Sequence, residues 1–328
     1  MRLWPVGLVL ALAFTVAVLV AAWVFYTGWD LLSVRGLKPE HRIDSNTLFD
    51  LVKLSFGVVA GAGALVALVV AYRRQRVDED GALREATRLH TERFTTAVGQ
   101  LGEESAAVRL GAVHALAGLA DDSLRQTCID VLCAYLQLPF TPDPGNDPAH
   151  QVEHHRYLAF RKVRHTILRL IGDHYRRPQG THRSWQGCDL DLTGVAIDGD
   201  MDFSGATFSD GTVSFSGATL SGGTVSFDNA VFASGTVSFD SAVFASGTVH
   251  FNNARFSGST VYFLGAMFSG GTVYFNNAAF SGAKVCFQGA ALSGSTVSFS
   301  NASGSAPDQL RAAVATAIPP IVDLPSTC

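Results

Sequence analysis

The most regular signal in the chain is an alternation of apolar and polar positions that restarts every twelve residues in its C-terminal part. Residues 211–306 divide into GTVSFSGATLSG, GTVSFDNAVFAS, GTVSFDSAVFAS, GTVHFNNARFSG, STVYFLGAMFSG, GTVYFNNAAFSG, AKVCFQGAALSG and STVSFSNASGSA. One column holds Val213, Val225, Val237, Val249, Val261, Val273, Val285 and Val297. The next but one holds Phe215, Phe227, Phe239, Phe251, Phe263, Phe275, Phe287 and Phe299. Ala218 through Ala302 form a third column, and Phe or Leu from Leu220 through Leu292 a fourth. Within TVSF the Val and Phe side chains point one way and Thr and Ser the other, as in a strand. The A-x-F element repeats that alternation one bend later, and Gly, Ser and Asn between them favour turns. A looser unit places Leu192, Val195, Ile197, Met201, Phe203, Ala206 and Phe208 in nearly the same frame. The pattern predicts a stack of short strands in which no unit is stable without its neighbours.

The N-terminal pattern is different. Residues 4–26, WPVGLVLALAFTVAVLVAAWVFY, contain no charge, and residues 54–72, LSFGVVAGAGALVALVVAY, form a second apolar run. About 20 apolar residues cross a bilayer core as a helix, so both runs are expected to span. A cleaved signal peptide is the alternative for the first, but its run exceeds an h-region of about 7–15 residues. Gly57, Gly61 and Gly63 let another helix approach closely. Either the two spans pack on each other, or two copies of the chain meet through Gly57 and Gly61. The cluster RRQR at Arg73–Arg76 follows the second run directly, whereas Arg35, Lys38, Arg42 and Lys53 are spread over the connection. That asymmetry puts both termini in the cytoplasm of a two-span protein of the cell membrane.

Between the apolar runs and the repeats lies a helical pattern. Leu83, Phe94, Val98 and Leu101 recur at helical spacings, and Ala106, Leu110, Val113, Ala117 and Ala120 form a stripe. Asp121, Asp122 and Ser123 offer stop and cap chemistry before a helix with Ile129, Leu132, Cys133 and Leu136 on one face. The proline-rich LPFTPDPGNDPAH breaks the pattern. A fourth helix over residues 152–175 has Val163, Ile167, Leu170, Ile171 and His174 on its face. AAVRLGAVHALAGLADDS resembles one hairpin of the HEAT or armadillo type, but such solenoids need several stacked repeats. The expected organisation is a membrane anchor over residues 1–76, a small all-α module over 77–183, a β-solenoid over 185–302 and a capping tail over 303–328.

Composition adds little until it is divided. The 328 residues carry a net charge of −4, yet residues 185–302 contain only Arg255 and Lys284 against eight aspartates. Cys128, Cys133, Cys188, Cys286 and Cys328 are odd in number and widely spaced, which is no disulfide framework. Cys128 and Cys133 do not share one helix face, so free buried thiols are expected rather than a metal pair. His150 and His154 have i, i+4 spacing, with His155 beside them, but no third ligand at a characteristic distance. The basic run RKVRH at Arg161–His165 reads as the solvated face of its helix.

The A-x-[FL] core recurring through about 110 residues resembles the pentapeptide-repeat family, which implies a right-handed quadrilateral β-helix. The frame departs from the family's fives, being five plus seven. One unit per coil would give a tube too narrow for its aromatics, so two units per coil are favoured. The whole layout also resembles membrane pentapeptide-repeat proteins of high-GC actinobacteria. The resemblance carries no enzymatic site, and the repeats hold no phosphate loop and no nucleophile–base pair with a supporting motif. No catalytic, cofactor or metal residue is assigned. The expected function is a non-enzymatic scaffold for an unknown protein partner, tethered to the lipid bilayer. Two other readings fit the repeats less well. Mimicry of DNA, known within the family, needs dense negative charge, but the aspartates cluster at the start of the repeats, and nucleic acid itself is not expected as a partner. A surface- or ice-binding array could use the column Thr212, Thr224, Thr236, Thr248, Thr260, Thr272 and Thr296, but the neighbouring Ser column is interrupted.

Overall fold

A computed structural model describes residues 45–120, 124–140, 143–145, 147–292, 294–305, 307–315 and 322–323, with a scatter of residues between 11 and 30. The chain divides into two compact units, Met1–Leu89 and His90–Cys328. The division falls inside the long helix α1 (Ser45–Leu101).

In the first unit the second apolar run is helical throughout, and Phe56, Leu68 and Val70 face outwards. Among the described residues this is one helix long and apolar enough to cross a membrane. Most of the expected first span, residues 4–26, and most of the connection to the second lie outside the described residues. Among the described residues nothing outside the helix's own backbone lies within 4 Å of where a Cβ would stand on Gly57, Gly61 or Gly63. Leu83, expected to belong to an apolar face, is exposed.

The second unit begins with the end of α1, where Ala97 and Leu101 are buried, followed by α2 (Ala106–Leu119), α3 (Arg125–Gln137) and α4 (Gln151–Tyr175). The expected stripes turn inwards: Val113 and Ala117 of α2, Ile129, Leu132, Cys133 and Leu136 of α3, and Val163, Ile167, Ile171 and His174 of α4. Asp121–Ser123 lie outside the described residues, and the residue capping α3 is Leu124, without a side-chain cap bond. Cys128 and Cys133 are both buried, as free thiols. Helix α3 is enclosed on more than one side, because it packs against α2 and also against the first strand of the repeats. Burial pushes these thiols up to about 11 and about 12. At neutral pH both are protonated and poor nucleophiles.

The repeats begin with β1 (Leu190–Asp191), β2 (Ala196–Ile197), β3 (Met201–Asp202) and β4 (Thr207–Phe208). They continue with β5 (Thr212–Ser214), β6 (Thr219–Leu220), β7 (Thr224–Ser226) and β8 (Val231–Phe232). Up to Ala279–Phe280 each strand pairs in parallel with the fourth one after it, so β1 meets β5, β2 meets β6, β3 meets β7 and β4 meets β8. The order repeats to Ser303–Gly304, giving four parallel sheets wound as five coils in the described residues. Val213 lies opposite Val237, and Val237 opposite Val261, so one coil takes two twelve-residue units. The described repeats are therefore a parallel β-solenoid with four strands per coil.

Two-unit coils split each sequence column into two physical ones. Phe203, Phe227, Phe251, Phe275 and Phe299 stack at 4.7–5.2 Å, and Phe215, Phe239, Phe263 and Phe287 at 4.6–4.9 Å. These stacks meet edge to face, as Phe227 and Phe239 do at 5.9 Å and 88°. Offset and edge-to-face rings are the favoured aromatic geometries. Phe208, Phe232, Phe256 and Phe280 form a third stack, and Phe244 with Phe268, between Leu220 and Leu292, a fourth. These stacks fill the described interior with buried rings.

The bends explain the glycines and asparagines. The residue before each column alanine is left-handed, with φ of 64° at Gly217, 58° at Asn229 and 55° at Asn253. Gly and Asn tolerate that region best. Gly247 is bound twice over: its φ is +81°, and a Cβ would stand 2.5 Å from the Gly223 carbonyl oxygen in the coil below. Gly247→Ala should cost about 3 kcal/mol, combining the left-handed penalty with overpacking. A urea midpoint within error of the parent would contradict this coil spacing.

Both ends of the stack are covered. At the start, Tyr175 packs on Phe208 at 5.4 Å and on Phe203 at 6.1 Å, continuing the aromatic stacks into the helices. Trp185 is fully buried against His174, ring to ring at 4.3 Å. At the other end, α5 (Leu310–Ala315) buries Leu310 and Ala313, and Val322–Asp323 pairs with Val297–Ser298. Asp308 bridges to the strand of Cys286, its N–H donating to Val285 O at 2.7 Å. Exposed ladder groups and rings at both ends are thus withdrawn from water.

Candidate functional site

The outward rows of the solenoid are set by which residues of each unit face away from the Phe stacks. The sheet of β1 and β5 shows Thr212, Thr236, Thr260 and Lys284; that of β3 and β7 shows Thr224, Thr248, Thr272 and Thr296. These are the first and third of four sheets around the coil, so the single threonine column of the sequence is shared between two faces. His250 and Tyr274 stack at 5.2 Å on the second of these faces. The sheet of β2 and β6 carries Thr219, Val243, Met267 and Ala291 outwards, with Met267 47% exposed. The sheet of β4 and β8 carries Val231, Arg255 and Ala279.

The aspartates of the repeats are acceptors for the fold. Asp189, Asp200, Asp228 and Asp240 each accept the backbone N–H of a residue one coil further on, from Thr212 (2.7 Å), Thr224 (2.8 Å), Asn252 (2.9 Å) and Leu264 (3.1 Å). Asn252 extends one of these ladders to Asn276 N at 3.3 Å. Asp191 and Asp202 close local turns onto Thr193 N and Ser204 N, and Asp210 accepts the Ser234 hydroxyl. Spacing in the sequence gave no sign of this, because the partner sits about two units away.

The eighth, Asp198, joins the first coil to α4. Its carboxylate accepts from Tyr157 Oη (2.8 Å) and Arg161 Nε (2.8 Å) and meets His165 Nε2 at 3.0 Å. Arg161 also donates to the Asp198 carbonyl at 2.7 Å. Burial alone would raise this carboxyl, but hydrogen bonds from His165, Arg161 and Tyr157 overcome it and hold the group well below the usual carboxylate range. A carboxyl lowered by folding stabilises fully above its unfolded value of about 4 and loses that contribution as pH falls through its folded value. Asp198→Asn should therefore lower stability by about 2–3 kcal/mol near pH 6, with the gap from the parent narrowing in strong acid. Parallel stability–pH curves for the two proteins would contradict the assignment.

The run Arg161–His165, expected to be a solvated face, is a docking face instead. Arg161 and His165 hold Asp198, and Arg164 is only 4% exposed; the exposed member is Lys162. Arg164 was open to recognition, because it shares the i, i+3, i+4, i+7 stripe of Ile167, Leu168 and Ile171.

Arg164 also lines a cleft of about 540 Å³ among α2, the end of α3 and its loop, and α4. Its walls include Arg109, Arg156, Tyr135, Phe140, Tyr157 and Phe160, together with Glu153. Arg109 lies 4.3 Å from the Phe160 ring centre and Arg164 4.8 Å from that of Phe140. His154 pairs with Asp143 at 2.6 Å. Among the described residues no group of three His, Cys, Asp or Glu is placed to hold a metal.

No family model matches the chain, and no curated protein matches it either. The likeness to pentapeptide-repeat proteins rests on the recurring A-x-[FL] core and on the four-stranded coils.

Proposed function

We propose that this chain is a non-enzymatic scaffold of the pentapeptide-repeat type, tethered to the membrane and presenting a right-handed quadrilateral solenoid to a protein partner in the cytoplasm. The observation that carries the reading is the use of the solenoid's own chemistry. All eight aspartates of residues 185–302 accept hydrogen bonds from the fold, and the interior is closed by aromatic stacks. What remains for recognition is four flat faces, of which the row Val243, Met267 and Ala291 is apolar. Aspartates bound to backbone amides are poor stand-ins for a duplex phosphate row, and threonines divided between two faces are a poor flat array. Both considerations favour the scaffold reading over mimicry of DNA or surface binding.

The tether is supported by the apolar stretch of α1 and the basic residues Arg73–Arg76 behind it. Two spans place the solenoid in the cytoplasm, and the open surface at Gly57 and Gly61 suits a second copy of the helix. A reporter active only in the cytoplasm is expected to work when fused after Cys328 and to be silent at Lys38; the reverse pattern would sink the topology. Proximity labelling from the C-terminus in the native host should mark a consistent set of neighbours. Met267→Asp should remove some of them while leaving the melting temperature unchanged, because the position faces solvent. Identical labelling for the parent and for substitutions on all four faces would refute the scaffold role.

A further inference from the structure

The buried arginine of the helical module braces α3 and the first coil through two carbonyls, yet among the described residues no acid balances its charge. Arg164 donates from Nη1 to the Leu136 carbonyl at 2.7 Å and from Nη2 to the Ala196 carbonyl at 3.1 Å, and its face stacks on Phe140. Among the described residues no carboxylate forms an ion pair with it, and the nearby Asp198 is already held by Arg161 and His165. Burial disfavours its charge. A charge taken out of water without a counter-ion is costly, and retaining one beside a cleft is accounted for when an anion completes the site.

The surroundings fit that anion. Arg109 and Arg156 enter the same cleft from α2 and α4, both stacked on Phe160 at 4.3 and 5.5 Å, against Glu153 as the acid in the lining. Arg109 is fixed further by donating to Tyr135 Oη at 2.9 Å and to the Glu103 carbonyl. Ring stacking holds a guanidinium plane in place while leaving edge N–H groups free, which is how arginine binds tetrahedral oxyanions. The volume, about 540 Å³, is in the range of small-molecule sites.

We propose that the cleft lined by Arg109, Arg156 and Arg164 binds a phosphate group, with Arg164 as the buried charge at its base and the aromatic walls excluding water. The group belongs either to a free phosphorylated small molecule or to a lipid headgroup, and the two are separable by experiment. The full chain in non-ionic detergent would be titrated with inorganic pyrophosphate and, separately, with dihexanoyl phosphatidic acid, using dihexanoyl phosphatidylcholine as control. Thermal unfolding and calorimetry would be read together. The expected result is saturable binding with a rise in unfolding temperature, weakened at least tenfold in Arg164→Met and in Arg156→Gln. Pyrophosphate binding assigns a free phosphate ligand, whereas phosphatidic acid binding alone assigns a headgroup. Arg156 is exposed, so Arg156→Gln keeps the test usable if Arg164→Met fails to fold. Binding of neither probe, or unaltered binding in Arg156→Gln together with any folded Arg164→Met, would overturn the proposal.

Discussion

Replacing Phe251 with aspartate is expected to unfold the solenoid, at a cost above about 5 kcal/mol. Phe251 is fully buried and lies between Phe227 and Phe275, at 4.8 and 4.7 Å, with Phe239 and Phe263 edge-on. Removing a core Phe side chain alone costs about 3–5 kcal/mol. An unpaired carboxylate among these four rings adds several more, which approaches the whole stability of a domain. Each coil rests on its neighbours, so the stack should break at this level and not merely weaken. Phe251→Leu should be far milder, since Leu already stands at positions 220 and 292 of a neighbouring stack. Asn252→Asp, one residue away, should cost no more than about 1 kcal/mol: Asp already fills that acceptor position at 228 and 240, and the loss is the Nδ2 contact with His250 and a like charge one coil above Asp228. Urea denaturation followed by circular dichroism distinguishes the three, and equal losses at 251 and 252 would contradict the inward and outward assignment.

Gly172→Ala is expected to cost about 3 kcal/mol, although it adds a single methyl group. A Cβ at Gly172 would lie 2.1 Å from the Asp202 carbonyl oxygen, so α4 would have to lift from β3. That movement pulls on the contacts of Asp198 with Arg161 and of Arg176 with Asp202, and it opens the seat of Tyr175 on Phe208. Backbone of this kind cannot give way as a flexible side chain would. Loss of protection from hydrogen exchange should appear first in β1–β4, before the later coils. Uniform protection in the variant would mean that the helices do not cap the stack.

How far these features could be read beforehand depended on the range of the interaction. Inward columns such as Val213 and Phe251, and helix stripes such as Ile167 and Ile171, announce themselves because each face recurs at the period of its own element. The choice between one and two units per coil was decided by filling, since Phe stacks at both Phe203 and Phe215 need a wide cross-section. The roles of Asp200, Asp228 and Asp240 could not be read locally, because each acts on an amide in the next coil. The same holds for Arg161, Arg164 and His165. A basic run on a helix looks solvated until the partner that covers it, here the first coil, is in place.

The most direct test of the two-unit coil is a cross-link between neighbouring coils. Thr236 lies opposite Thr260 in adjacent parallel strands, whereas Thr248, one unit from each, belongs to a different sheet. Cysteines in paired positions of adjacent strands stand about 5 Å apart, within the disulfide range. Under mild oxidation the pair Thr236→Cys with Thr260→Cys should form an intramolecular disulfide, seen as one linked peptide by mass spectrometry, and the pair Thr236→Cys with Thr248→Cys should not. Efficient linkage of 236 to 248, with none between 236 and 260, would mean a coil of one unit and would contradict the account.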